Sequence, residues 1–226
     1  MPDATPGTNE MARIRSGRRR VAYALPPCAG TRPTPTLGAM DAATLRAAHT
    51  AGLTYAQYLG TDVARARPWH EVAQRVSLTA PQRSLLGGFT RRMPVICLSG
   101  IWCGDCSAQG PMLAAIADAC PMVDLRWLDR DEHPELSERV TICGGRRVPT
   151  VIWMSEDFDF VSLLGDRTIS RYRAMAARAL GASCPLPGAP LPDDEIAATV
   201  ADWVCEFERV QLLLRLSPRL RQKHGD

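Results

Sequence analysis

No apolar run in this chain approaches the ~18 residues of a membrane span, so a membrane is not an expected partner. A secretory h-region is missing as well. After Arg18-Arg19-Arg20 only Val21-Ala22-Tyr23-Ala24-Leu25 precede Pro26 and Pro27, which is shorter than the ~7 residues such a segment needs. The expected location is therefore cytoplasmic. There is no second CxxC, and His49, His70, His133 and His224 do not pair. A tetrahedral zinc site needs about four ligands at fixed spacing, so no metal is expected. A basic folded surface is also lacking. Residues 1–40 hold six Arg against Asp3 and Glu10, yet the whole chain is only +3. A nucleic-acid reader would carry its basic face on the folded part, so nucleic acid is not an expected partner either.

What is present is ordinary for a globular protein: 226 residues, 46% hydrophobic and 23% charged, enough for one elaborated domain or two small ones. Residues 1–38, with Pro2, Pro6, Pro26, Pro27, Pro33 and Pro35 and no apolar periodicity, read as a disordered leader. Residues 39–92 read as a helical extension. Leu45, Ala48, Leu53, Tyr58 and Leu59 are its apolar anchors, Trp69, Val72, Ala73 and Val76 recur at helical spacing, and Thr79-Ala80-Pro81 opens a further helix. From residue 93 the pattern changes. Met93–Ser99 is a short buried-strand run and Pro111–Ala119 is helical. Val123–Asp129 alternates as a strand and Pro134–Val140 is a short helix. Thr150–Met154 and Phe160–Leu164 form a hairpin, and Ile169–Leu180 is a helix. A Pro/Gly linker over 181–192 leads to a last amphipathic helix, 193–226, whose Leu212-Leu213-Leu214 reads as core packing. The first two strands are joined by a helical crossover, which predicts that they are parallel.

Of the cysteines at 28, 97, 103, 106, 120, 143, 184 and 205, only Cys103 and Cys106 have a motif-like spacing. They fall at a strand-to-helix junction. A helix N-terminus offers free N–H groups and a partial positive charge, which stabilise the thiolate that performs disulfide exchange. Cys103 is placed as the exposed nucleophile and Cys106, one turn in, as the resolving thiol. Gly104 is read as allowing a tight turn and Trp102 as covering the pair. Asp105 puts a carboxylate inside the motif. Its charge opposes the thiolate, which predicts an ordinary Cys103 thiol and a reducing couple of roughly −250 to −290 mV. Arg146 and Arg147 partly screen it if their side chains turn inward; they otherwise read equally as steering a substrate or as solvated.

Residues 93–180 resemble the thioredoxin superfamily. The segments Trp102-Cys103-Gly104-Asp105-Cys106, Leu128-Asp129-Arg130-Asp131-Glu132-His133-Pro134 and Val148-Pro149-Thr150 occur in the family's order and spacing. They look most like the bacterial thioredoxin family proteins with a WCGDC centre. The resemblance implies an α/β fold, a thioredoxin-like mixed sheet flanked by helices, with helical N- and C-terminal extensions. It implies that Pro149 is the family's cis-proline, and that Arg147 and Val148 border a substrate site facing the dithiol. Two positions depart from the family. Its buried acid, six residues before the first cysteine, is here Cys97, and its partner lysine on the next strand aligns with Trp127. Asp105 is the available substitute acid. Cys97 reads as a core thiol, and Cys143, six residues before Pro149, as an accessory thiol.

The expected function is a cytosolic thiol–disulfide oxidoreductase acting mainly as a reductase, with no bound cofactor. Its partners would be a disulfide-containing protein or small molecule and an electron donor such as a thioredoxin reductase or a low-molecular-weight thiol. The alternative is a non-enzymatic adaptor of the same fold with a vestigial CxxC.

Overall fold

The computed structural model describes residues 40–180 and 194–226. The leader assigned to 1–38 and the linker assigned to 181–192 lie outside the described residues. Among the described residues, four strands, β1 (Met93–Ser99), β2 (Val123–Asp129), β3 (Thr150–Met154) and β4 (Phe160–Gly165), form one sheet in the order β2-β1-β3-β4. β1 and β2 are parallel, in register from Met93 opposite Val123 to Ser99 opposite Asp129. β3 runs antiparallel to both β1 and β4. Every residue of β1 and β3 is buried, which is why both read as unbroken apolar runs rather than alternating ones. The edge strand β4 is only partly covered.

Among the described residues, four helices precede the sheet: α1 (Ala42–Ala51), α2 (Tyr55–Gly60), α3 (Arg67–Ala73) and α4 (Ala80–Gly87). Their starts are chemically marked. Asp41 accepts from the Thr44 amide at 2.7 Å, and Thr54–Gln57 and Thr79–Gln82 form capping boxes, each satisfying otherwise orphaned N–H groups. These helices share the core of the sheet. Tyr58 stacks on Trp127 of β2 with ring centroids 5.5 Å apart, and Trp69 meets the same indole edge-on at 5.7 Å. Leu53 exchanges two 2.9 Å backbone hydrogen bonds with Trp127, which covers the free edge of β2. Gly52 is required for this approach, because a β-carbon there would stand 2.6 Å from Cβ of Arg126.

The crossover between β1 and β2 is α5 (Gly104–Ala119), which begins within the cysteine motif and continues through Pro111. α6 (Pro134–Arg139) and α7 (Ile169–Leu180) follow β2 and β4 respectively. The C-terminal region is two helices rather than the single one expected over 193–226: α8 (Glu195–Leu216) and α9 (Pro218–His224). Proline disfavours helical geometry in the residue before it, and Ser217 is accordingly extended, at ψ 117°. α8 buries Val200, Trp203, Val204, Phe207, Val210 and Leu214, with Trp203 and Phe207 against Trp153 of β3. The expectation for Leu212-Leu213-Leu214 holds only in part, since Leu212 and Leu213 are exposed. Helical periodicity turns them away from the stripe that Leu214 joins.

Candidate active site

β1 ends at Ser99, and the chain turns through Gly100-Ile101-Trp102 into α5, with Cys103 at its N-cap in extended geometry (φ −84°, ψ 125°). Cys103 is half-buried and Cys106 fully buried, and both thiols are free. The Cys103 sulfur is 3.7 Å from the Val148 carbonyl oxygen. The Val148–Pro149 peptide bond is cis, and Val148 is buried. The loop before β3 thus faces the start of α5 with a backbone carbonyl at the thiol.

The electrostatics divide the two cysteines. The Cys103 thiol is pushed down to about 6. The largest cause is the hydrogen bond donated by the Cys106 thiol; the amides of Cys106 and Asp105 add to it, and partial burial opposes it. Burial pushes the Cys106 thiol well above its ordinary value, and the adjacent Cys103 charge pushes the same way. The Ser99 hydroxyl, fully buried, favours its ionised form. At neutral pH one sulfur is therefore a thiolate and the other its proton-bearing partner. This corrects the expectation of an ordinary Cys103 thiol.

The Asp105 carboxylate opposes this ionisation but does not prevail. It is neither bare nor turned to the cysteines as a substitute acid. Arg167 forks it, with Nε donating to Oδ1 at 3.0 Å and Nη2 bonded to Oδ2, and Arg171 Nη2 donates to Oδ1 at 3.0 Å. The expected screens lie elsewhere: Arg147 donates to Asp166 at 3.2 Å, and Arg146 is 3.6 Å from Asp131. Nothing in the sequence pairs Asp105 with residues more than sixty positions away. The only available signal is that Arg167 and Arg171 are four apart, a spacing that shares one helix face.

Other site residues are placed as follows. Trp102 lies over Gly100 and carries the Arg130 guanidinium 4.7 Å from its ring centroid. It is 46% exposed. With Cys103 and Ser107 it lines a groove of about 340 Å³ whose other wall is Ala64, Arg65 and Pro68 at the start of α3. The helices before the sheet therefore contribute to the surface beside the thiol, which sequence reading missed. Gly104 does not have a positive φ, and a β-carbon there would meet no atom within 4 Å. The turn makes no demand for glycine, contrary to expectation. Cys143 is exposed in a turn with φ 50°, closed by Ile142–Gly145 hydrogen bonds, and does not line the groove. Cys97 is fully buried opposite Trp127 on β2 and Val151 on β3, and burial pushes its thiol far up. Among the described residues, no group of three or more His, Cys, Asp or Glu could hold a metal ion, and no helix is long and apolar enough to cross a membrane.

A mixed four-stranded sheet with a CxxC at the head of the first crossover helix and a cis-proline loop facing it defines the thioredoxin-like class. The chain belongs to the thioredoxin family, whose model matches residues 52–178. Among solved structures it is similar to a protein of unknown function from Pseudomonas aeruginosa. That match has 14% identity over 72% of this chain and 93% of the other, with a TM-score of 0.57. It is also similar to an HIV epitope-scaffold, at 17% identity over 75% and 92%, with a TM-score of 0.50. Mitochondrial thioredoxin 3 of Saccharomyces cerevisiae, in its oxidised form, aligns at 24% identity over 42% of this chain and 86% of its own, with a TM-score of 0.28. At the first two identities the likeness is one of fold. No curated protein matches the chain.

Proposed function

We propose that this protein is a dithiol–disulfide oxidoreductase that reduces disulfides of proteins or small molecules through Cys103 and Cys106. The observation that carries the reading is the division of labour between the two sulfurs: a half-buried thiol pushed down to about 6 at a helix N-cap, above a buried thiol that donates to it. The Cys103 thiolate attacks one sulfur of the substrate disulfide. A mixed disulfide forms and the other substrate sulfur leaves as a thiolate. The hydrogen bond from Cys106 loses its anionic acceptor at that point. Cys106 then gives its proton to the departing substrate sulfur and attacks Cys103, closing the Cys103–Cys106 disulfide and releasing the second substrate sulfur as a thiolate, which takes its proton from solvent. The substrate gains two electrons and the dithiol loses two. An external donor, a thioredoxin reductase or a low-molecular-weight thiol, restores the dithiol, and no bound cofactor takes part. The Val148 carbonyl, beside the attacking sulfur, supports an extended substrate backbone. A reducing compartment such as the cytoplasm suits this cycle.

One observation favours the second reading, an adaptor with a vestigial motif. Cys97 and Trp127, packed and uncharged, stand where the family's acid and lysine would assist Cys106. Insulin reduction driven by dithiothreitol separates the two. The oxidoreductase reading expects turnover by the wild type and none above background by Cys103→Ser. Equal, background-level rates for both would overturn the reductase reading and favour the adaptor.

A further inference from the structure

We propose that Arg167 and Arg171 are positioning residues of the dithiol, holding and neutralising the Asp105 carboxylate so that Cys103 can ionise beside it. The proposal rests on the oxidoreductase reading above and deepens it.

Asp105 acts on Cys103 in two opposite ways. Its amide, in the first turn of α5, helps to hold the Cys103 thiolate, whereas its carboxylate repels it. A unit charge a few ångströms from a thiolate, at the effective dielectric of a protein surface, changes ionisation by about tenfold or more. In the folded chain that repulsion is outweighed by the hydrogen bond from Cys106 and by the amides of Cys106 and Asp105. Two guanidinium groups share the carboxylate and draw its charge away from the sulfur. The fork from Arg167 is bidentate, the strongest arrangement such a pair adopts.

Asp105 does not need both arginines for its own sake. A carboxylate in the first turn of a helix already lies in a favourable field, and one bidentate partner would suffice to pair it. Burying charge is costly unless the surrounding groups are well matched, and here the matching is extended. Arg167 also donates to Asp166 at 2.8 Å, which in turn receives Arg147 from the loop before Pro149. On the other side Arg171 donates to Glu195 at 3.1 Å, the first residue of α8, which also receives Arg178 at 2.9 Å. Charges alternate along this line from the Pro149 loop, through the cysteine motif, to α8. Each carboxylate has two arginine partners, and the line begins and ends on arginine. The Asp166 side chain is 4% exposed and those of Asp105, Arg167 and Arg171 are all under 20%, so salt screens these pairs little. The same network ties the loop carrying the Val148 carbonyl to the helix carrying Cys103.

The test reads the ionisation of Cys103 directly, by ultraviolet absorbance of the thiolate against pH in the reduced protein, without turnover. Arg167→Gln is expected to raise the midpoint by about one pH unit, a tenfold loss of thiolate at low pH. Arg167→Lys, which keeps the charge, is expected to stay within a few tenths. Asp105→Asn should lower the midpoint, and Asp105→Asn with Arg167→Gln should return it close to the wild-type value. If Arg167→Gln does not fold, Arg171→Gln carries the same sign with a smaller rise. A midpoint unmoved by either glutamine substitution would overturn the proposal. So would a shift from Arg167→Lys as large as that from Arg167→Gln, because the role would then be packing and not charge. A protein that shows the expected midpoints but does not reduce insulin would refute the oxidoreductase reading while leaving this coupling established.

Discussion

The indole of Trp69 lies directly on the backbone of Gly110, so close that a β-carbon at residue 110 would stand 2.1 Å from indole Cζ3. This contact seats α3 on α5. It also lets Trp69 Nε1 donate to the Ile101 carbonyl at 3.1 Å, two residues before Cys103. The helices before the sheet thereby brace the turn that presents the nucleophile.

Gly110→Ala is accordingly expected to destabilise, although alanine is the better helix former by about 1 kcal/mol. Forcing a methyl group into a filled site costs ~1–3 kcal/mol, and the indole cannot retreat without giving up Ile101. The net loss should be up to about 2 kcal/mol in urea unfolding. Combining the change with Trp69→Phe should cost less than the sum of the two singles, because the ring edge that meets the new methyl group is gone. Strict additivity would show that the two residues are not in contact.

The stability of the reduced protein should depend on pH through both cysteines, with opposite signs. Cys103 is held down to about 6 in the folded state, against ~8.5 for an unfolded thiol. Between those values the unfolded chain binds more protons, so stability rises with pH. Cys106 is held well above its ordinary value. Above about 8.5 its unfolded thiol ionises and the folded one does not, so stability falls. The difference in melting temperature between the reduced wild type and the Cys103→Ser/Cys106→Ser variant should therefore climb from pH ~6 to ~8.5 and decline beyond it. A flat difference across that range would contradict the assignment.

The redox potential should be less reducing than the bare carboxylate of Asp105 suggested. A stabilised thiolate stabilises the reduced form. In this fold a nucleophile near ~7 accompanies a couple of ~−270 mV, and one near ~3.5 accompanies ~−120 mV. A Cys103 thiol at about 6 places this couple at roughly −220 to −250 mV. A glutathione redox titration measures it. A value at or below about −280 mV would mean that Asp105 is not compensated by its arginines.

Gln211 ties α8 to the entry of β1. Its Oε1 accepts from the amides of Thr90 and Arg91, at 3.3 and 2.9 Å, and its Nε2 donates to the Arg91 carbonyl at 3.0 Å. Gln211→Leu keeps the volume but strands the two buried backbone groups of Arg91 and leaves the part-buried Thr90 amide without this partner. A loss of about 2–4 kcal/mol is expected in urea unfolding. A cost under about 0.5 kcal/mol would show that water reaches these groups.

Much of this protein is set by local chemistry and is legible in the chain itself. Thr79 caps a helix because its hydroxyl reaches the Gln82 amide three residues on, and β1 reads as buried because every one of its side chains is. The parallel pairing of β1 and β2 follows from the length and helical pattern of what joins them. Cys103 and Cys106 announce themselves by spacing alone, since a helix start and one turn are enough to divide an exposed thiol from a buried one. The break at Ser217-Pro218 was equally local and could have been read from the proline.

What only the tertiary structure decided is the state of charge around that dithiol. Asp105 on the sequence is a bare negative charge between two cysteines, and the inference of an ordinary thiol followed correctly from that. The folded chain brings Arg167 and Arg171 to it from across more than sixty residues and sends Arg147 to Asp166 instead. Trp69 likewise reads as an anchor of its own helix, and only packing reveals that it rests on Gly110 and holds Ile101. Capping and burial periodicity act within a turn or a strand, so sequence order encodes them. Electrostatic fields and van der Waals contacts act through space, and their partners are fixed only when the sheet and its helices close on one another.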